Sequence, residues 1–189
     1  MDHSLRLKFS LYLNYFVFAI LLNSVGIVIL KSMSVYKVHE VTASTLELFK
    51  DLPIALVSLS IASFLPRLGY KKAMLIGLAL VTLGCLIMPL GSSFTAARIL
   101  FSLVGTAFAL IKVSVYSMIG MVTQNDREHS ALMSSIEGVF MFGIAIAYFL
   151  FPAFNVEGDD AAWLRVYWLL AALSMLAFAF LWFTKETAQ

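Results

Sequence analysis

Two oppositely charged side chains, Lys112 and Glu137, lie inside long apolar stretches on either side of the polar turn 124–127. Each is about ten residues from the turn, or about 15 Å along a helix. If the chain folds back at the turn, the two charges lie at the same depth. An ionisable group inside a membrane costs about 2.5–3.5 kcal/mol and is usually retained for pairing, a watery cavity or proton transfer. The pair therefore indicates either a substrate or coupling site, or an ion pair that locks two helices together.

Two stripes of side chains accompany this pair. One stripe has spacings of seven or four residues along the fourth apolar stretch and consists of Arg98, Gly105, Lys112 and Tyr116. The other follows one face of the fifth stretch and consists of Ser134, Glu137, Met141 and Tyr148. On helices, these spacings place each set on one side. We predict that the stripes meet in a polar seam with Lys112 and Glu137 at its middle.

Further polar residues lie in the first two apolar stretches. Glu47, Lys50 and Asp51 fall within one helical turn, either as a solvated interfacial cluster or as a lining of a transport path. Asn23 matches their depth across the first hairpin, so we predict that it faces the cavity, with hydrogen bonding between helices as the alternative. Arg98, near the end of its stretch, either lines the cavity or extends towards the membrane surface.

The composition predicts an all-α membrane protein. Of 189 residues, 61% are hydrophobic and 13% are charged, against about 45–50% and about 25% in soluble domains. Backbone groups in lipid need internal partners, and no short alternating strands are present, so the apolar stretches must be helices. Six spans are predicted: 9–32, 40–65, 71–92, 94–122, 128–153 and 162–184.

Several functions are excluded by the sequence. A net charge of +2 without a basic, aromatic patch argues against nucleic acid as a partner. The single cysteine, Cys85, forms no disulfide within the chain, and no Cys/His spacing is typical of a metal site. No nucleophile, zinc or phosphate-loop motif is present. We therefore predict no enzymatic activity and no cofactor.

Basic residues near the span ends predict the orientation. Seven lie on one side, Arg6, Lys8, Arg67, Lys71, Lys72, Arg127 and Lys185. Four lie on the other, Lys31, Lys37, Arg98 and Arg165. Both termini are therefore predicted to be cytoplasmic, in the cell (inner) membrane. Trp163, Trp168 and Trp182, near the ends of the last span, are typical of interfacial anchors.

An internal repeat divides the chain into two three-helix units, 1–92 and 93–189. A shift of 90 residues places spans one, two and three on spans four, five and six, and residues 44–47 (Ser-Thr-Leu-Glu) on residues 134–137 (Ser-Ser-Ile-Glu). Units that start from opposite sides of the membrane are inverted repeats, which transporter folds often use. In the third span, Gly77, Gly84 and Gly91 form a stripe that predicts close helix packing.

These features resemble the N-terminal half of a major facilitator superfamily transporter. Family members carry a Gly-x-x-x-Asp-Arg-x-Gly-Arg-Lys-like motif after the second span. In residues 62–71, Arg67, Gly69 and Lys71 match this motif, whereas Ala62, Pro66 and Tyr70 differ. The resemblance implies a cytoplasmic gating loop at the matching residues and a substrate held between two six-helix halves. The partner would be a second half or a second copy of the chain, with lipid around both.

The resemblance predicts secondary active transport of a small polar solute. If protons drive it, Glu137 is the predicted coupling residue, because its carboxylate lies inside an apolar span at the depth of Lys112. The turn 69–72 resembles that of sugar/proton symporters, which favours sugar-like uptake. Drug/proton efflux is disfavoured because no proline follows Gly138 and Gly143 until Pro152. A non-transporting scaffold or assembly subunit, in which the charged pair only braces a hairpin, remains an alternative. A channel would need a ring of repeated polar residues, which is not found.

Overall fold

The computed structural model describes residues 3–61 and 63–184, so Ala62 and Lys185 lie outside the described residues. This part of the chain is all-helical and contains no β-strand. Its helices are α1 (His3–Asn23), α2 (Val25–Ser34), α3 (Glu40–Ile61), α4 (Leu65–Leu68), α5 (Tyr70–Gly91), α6 (Phe94–Val122), α7 (Asp126–Ala153), a 3-10 helix (Ala162–Arg165) and α8 (Val166–Phe183). The all-α prediction is confirmed.

Five helical segments are long and apolar enough to cross a membrane, which indicates a membrane-embedded protein. They are Leu5–Ser34, Tyr70–Gly91, Phe94–Val122, Asp126–Ala153 and Ala162–Phe183. Helix α3 has the same length as α5, 22 residues. However, Glu47, Lys50 and Asp51 fall within every 18-residue stretch of α3, so it is more charged than the other five. A sixth span at α3 therefore stays a prediction.

The first predicted span, 9–32, contains an interruption at Ser24. Asn23 Nδ2 donates to the Ala19 carbonyl at 2.8 Å, and Ser24 Oγ donates to the Leu21 carbonyl at 2.7 Å. Such bonds from polar side chains compete with the helical backbone pattern and can bend a helix. Backbone hydrogen bonding nevertheless continues from Ser24 N to the Ile20 carbonyl, so α1 and α2 follow each other without a loop.

Helix α6 occupies the centre of the bundle, where it packs against α5, α3 and α1. Helix α5 also packs against α8, and α1 packs against α7 and α8. Trp163 belongs to the core, with 1% of its surface exposed and its ring beside Tyr36 and Tyr167. The prediction that Trp163 anchors the protein at the membrane surface is therefore wrong, whereas Trp168 and Trp182 are exposed.

The glycine stripe on α5 packs against α6, as predicted. A Cβ atom at Gly77 would lie 3.0 Å from Ile111 Cγ1, and one at Gly84 would lie 3.1 Å from Leu100 Cδ1. Both distances are shorter than ordinary carbon–carbon contacts, so the two helices are close because these positions lack side chains. This packing holds α6, which carries the site described below, against the bundle.

Candidate functional site

Tyr116 connects the two charged residues that the sequence singled out. Its hydroxyl donates a 2.5 Å hydrogen bond to Glu137 Oε1, which joins α6 to α7. The Lys112 ammonium lies 5.8 Å from the centre of the Tyr116 ring and 5.8 Å from that of Phe108. Among the residues that the structure describes, Lys112 and Glu137 form no direct ion pair. The hairpin thus brings both charges to one cluster, with an aromatic ring between them.

Helix α1 contributes a tyrosine that the sequence interpretation missed. Tyr15 is 1% exposed, and its ring centre lies 6.3 Å from that of Tyr116 and 5.6 Å from that of Phe140. Its hydroxyl is buried and has no hydrogen-bond partner within the described part of the chain. Nearby, the Tyr12 hydroxyl is hydrogen-bonded to Ser135 Oγ. A tyrosine in an apolar run is itself a signal, because its hydroxyl needs a polar partner.

The predicted seam between α6 and α7 is short. These helices contact each other sparsely, whereas α1 packs against both of them. Met141 and Tyr148 are exposed on the face of α7 that carries Glu137. Gly105 does not join the seam, because its backbone packs against α3 at Lys50. The part of the seam that the structure brings together consists of Lys112, Tyr116 and Glu137.

Arg98 lies at the start of α6 and faces α3. Its guanidinium carbon is 4.5 Å from the ring centre of Phe94 and 5.6 Å from that of Phe49. The Nε atom is buried without a hydrogen-bond partner among the described residues. Cation–π contacts of this kind stabilise by about 0.5–2 kcal/mol, depending on exposure. Arg98 therefore links α6 to α3, far along the helix from Lys112.

The acidic and basic residues of α3 are only partly paired. Lys50 Nζ is 3.4 Å from Asp51 Oδ1, whose side chain is 61% exposed. Glu47 is exposed one turn earlier. Asn23, which was expected at the depth of this cluster, is half-buried and donates to its own helix rather than to α3. These residues stay separate from the Tyr116 cluster.

The three residues that match the gating motif lie at the junction of α4 and α5. Arg67 is exposed in α4. Gly69 has a φ of +88°, a conformation that favours glycine. Lys71 Nζ donates to the Trp182 carbonyl at 3.1 Å and to the Thr184 carbonyl at 2.6 Å. Lys71 therefore binds carbonyl groups at the C-terminal end of α8, where a cation is favourable.

Replacing Lys71 by Met should loosen the end of α8. Loss of two partly exposed charged hydrogen bonds is expected to cost about 1 kcal/mol of local stability. Amide hydrogen exchange should therefore become about fivefold faster at residues 180–183. Lys72→Met is the matched control, since Lys72 is exposed on the next position of the same turn. Equal exchange in both variants would contradict a stabilising role for Lys71.

Comparison with known proteins assigns no family to the chain. No protein-family model matches it, and no curated protein matches its sequence. The function is therefore inferred from the geometry of the chain's own residues.

Proposed function

We propose that the chain is one half of a secondary active transporter that moves a small polar solute across the membrane by alternating access. The observation that carries this proposal is the exposed ammonium of Lys112 beside the Tyr116–Glu137 hydrogen bond, within membrane-length apolar helices. An exposed lysine at this depth is costly against acyl chains. A water-filled cavity between two halves removes that cost and gives a solute access to both charged groups.

Helix packing supports two inverted three-helix repeats, 1–92 and 93–189, of the kind found in major facilitator transporters. The shift of 90 residues relates α1 to α6, α3 to α7 and α5 to α8. Under this relation the α3–α6 pair corresponds to α7–α1, and the α5–α6 pair corresponds to α8–α1. All four pairs are packed. A pseudo-two-fold axis in the membrane plane accounts for this correspondence.

Two of the four positions of the short sequence echo have matching burial in the two repeats, whereas Thr45 and Glu47 differ in burial from Ser135 and Glu137. Leu46 and Ile136, which the shift relates, are both fully buried. Ser44 and Ser134, also related by it, are both exposed. At these two pairs of positions the related helices α3 and α7 turn equivalent faces towards the bundle, which supports the repeat beyond the agreement of residue types.

Uncovered helix faces support a second six-helix half, or a second copy of the chain, as the partner. Only 22% of the most apolar stretch of α7 is buried, against 61% for α6. In α3, only Ala43 and Leu46 are buried. A partner that covers α3 and α7 would enclose Glu137 and Lys112. In this arrangement α3 is the sixth span, both termini are cytoplasmic, and lipid surrounds the remaining helices.

Glu137 is the proposed proton-coupling residue. Carboxylates inside membrane bundles serve as proton relays. The titratable or charged groups around Glu137 are Tyr116 and Lys112 on α6 and Tyr15 on α1. Binding of the solute near Lys112 alters the field at Glu137, so solute and proton occupancy are coupled. When the cavity between the two halves opens to the other side of the membrane, the solute and the proton are both released.

A scaffold or assembly subunit is the second candidate function. It is favoured by the Tyr116–Glu137 bond, which can act as a brace between α6 and α7. In that case the partner packs tightly over the face of α7 that carries Glu137, and no water reaches it. Water access therefore distinguishes the two functions.

Cysteine labelling in proteoliposomes tests water access. Met141 lies one turn beyond Glu137 on the same face of α7 and is 63% exposed, whereas Leu83, in a groove between α5 and α8, is 50% exposed. A membrane-impermeant methanethiosulfonate should label Met141→Cys at least about tenfold faster than Leu83→Cys, because thiolates form in water rather than in lipid. The native Cys85 is buried, so its background is low. Equally slow labelling of both variants would contradict a cavity and favour the scaffold.

A further inference from the structure

We infer that the transported solute carries a carboxylate that binds the Lys112 ammonium. This assignment rests on the proposed transport function and names the chemical class of its substrate. It differs from the sugar-like solute that the turn 69–72 favours.

The Lys112 ammonium has no partner among the described residues. Its side chain is exposed and makes no hydrogen bond or ion pair with the residues that the structure describes. One acceptor of the nearest carboxylate, Glu137 Oε1, already receives the Tyr116 hydroxyl. The N–H donors of the ammonium are therefore available to a ligand.

The aromatic rings beside Lys112 stabilise its ammonium less than an anionic partner would. Contacts of an ammonium with ring faces contribute about 0.5–1 kcal/mol at exposed sites and about 2 kcal/mol when desolvated. Enclosing the charge between two halves costs more than this unless an anion accompanies it. When Glu137 carries the coupled proton, a neutral sugar leaves the Lys112 charge uncompensated, whereas an anionic solute neutralises it on binding.

The distance between Lys112 and Arg98 limits the charge of the ligand. Arg98 precedes Lys112 by 14 positions on α6, or about 21 Å, so the two cations do not share one small ligand. A single lysine matches the single negative charge of a carboxylate, whereas a phosphate dianion would retain an unmatched charge. The neighbouring Tyr116 ring, which is partly exposed, offers apolar contact to a small organic body. A small monocarboxylate fits both features.

Site-specific acylation of lysines tests this assignment on the unmodified chain. Proteoliposomes are treated with a water-soluble sulfosuccinimidyl acetate at mildly alkaline pH, and mass spectrometry follows Lys112 and Lys72 separately. Saturating sodium benzoate or acetate is expected to slow acylation of Lys112 by about tenfold, the equivalent of about 1.4 kcal/mol. Glucose, and sodium chloride at equal ionic strength, should leave the rate unchanged. Lys72, exposed in the first turn of α5, reports any direct effect on the reagent.

The outcomes separate this assignment from the transport function. If Lys72 reacts and Lys112 never does, the ammonium has no aqueous access, and the transport function fails together with the carboxylate site. If the acylation rate of Lys112 is the same with and without benzoate and acetate, Lys112 has aqueous access but does not bind a carboxylate, so the carboxylate assignment is wrong. Protection by glucose alone, or equally by sodium chloride, also overturns it.

Discussion

Replacing Glu137 by Gln is expected to abolish solute-driven proton entry into proteoliposomes, down to the level of empty vesicles. Gln has nearly the same shape and keeps an acceptor for the Tyr116 hydroxyl, so the α6–α7 link at Glu137 Oε1 is preserved. What Gln lacks is the ability to gain and lose a proton. The variant therefore separates the proton from the hydrogen bond, and loss of coupling without loss of folding identifies the carboxylate as the proton carrier.

The measurement uses an internal pH dye and small polar solutes of the proposed class. Glu157→Gln is the control, since Glu157 is exposed in the loop between α7 and α8 and lies outside the proposed cavity. Thermal unfolding of both variants checks that the fold is retained. Unchanged proton entry in Glu137→Gln would remove Glu137 from the coupling mechanism and leave the Tyr116–Glu137 bond as a structural brace.

The helices were predictable because their signals are local. Runs of apolar residues and polar breaks gave the ends of α6, for which the predicted 94–122 equals the observed Phe94–Val122. The interruption at Ser24 was not predictable from apolarity, because apolar stretches flank it on both sides. Trp163 was misjudged because its position near a helix end is shared by surface anchors and core residues. Only packing against Tyr36 and Tyr167 separates the two.

The positions of the two charged residues along their helices were predictable, but their side-chain contacts were not. Counting residues from the turn placed Lys112 and Glu137 near each other, and the structure brings them around Tyr116. Their lack of a direct ion pair depends on side-chain direction and on α1, which packs against both helices. Periodicity alone cannot show which helix faces a given stripe. For the same reason, the prediction that Gly105 belongs to a stripe facing α7 misses its contact with α3.

The two proposals about Lys112 and Glu137 fit together electrostatically. Protonation of Glu137 removes one negative charge from the cluster, and binding of a monocarboxylate at Lys112 restores it. The net charge of the occupied cavity then equals that of the empty one. A cavity whose net charge is the same when empty and when occupied can change its access from one side of the membrane to the other without moving an extra charge through low dielectric. The proton at Glu137 and the monocarboxylate at Lys112 are therefore expected to bind together rather than separately.

Replacing Gly105 by Ala is expected to destabilise the bundle more than any other small substitution on α6. A Cβ atom there would lie 2.1 Å from the Lys50 carbonyl oxygen and 3.0 Å from its carbonyl carbon. Backbone atoms of a packed helix cannot turn aside as a flexible side chain can, so α3 and α6 must separate. Helix association in lipid depends on close van der Waals contact rather than on a hydrophobic driving force. Overpacking of this kind typically costs about 1–3 kcal/mol.

Gly120→Ala on the same helix isolates this effect. A Cβ atom at Gly120 would meet nothing within 4 Å, so this variant reports only the higher helix propensity of alanine. Reversible unfolding in detergent should therefore show Gly105→Ala less stable than the unsubstituted protein and Gly120→Ala equal to it or more stable. Separation of α3 from α6 should also move Phe49 away from the Arg98 guanidinium, which now lies 5.6 Å from the centre of its ring. If the two alanine variants are equally stable, α3 does not pack against α6 at Gly105, and the helix arrangement that encloses the proposed cavity is wrong.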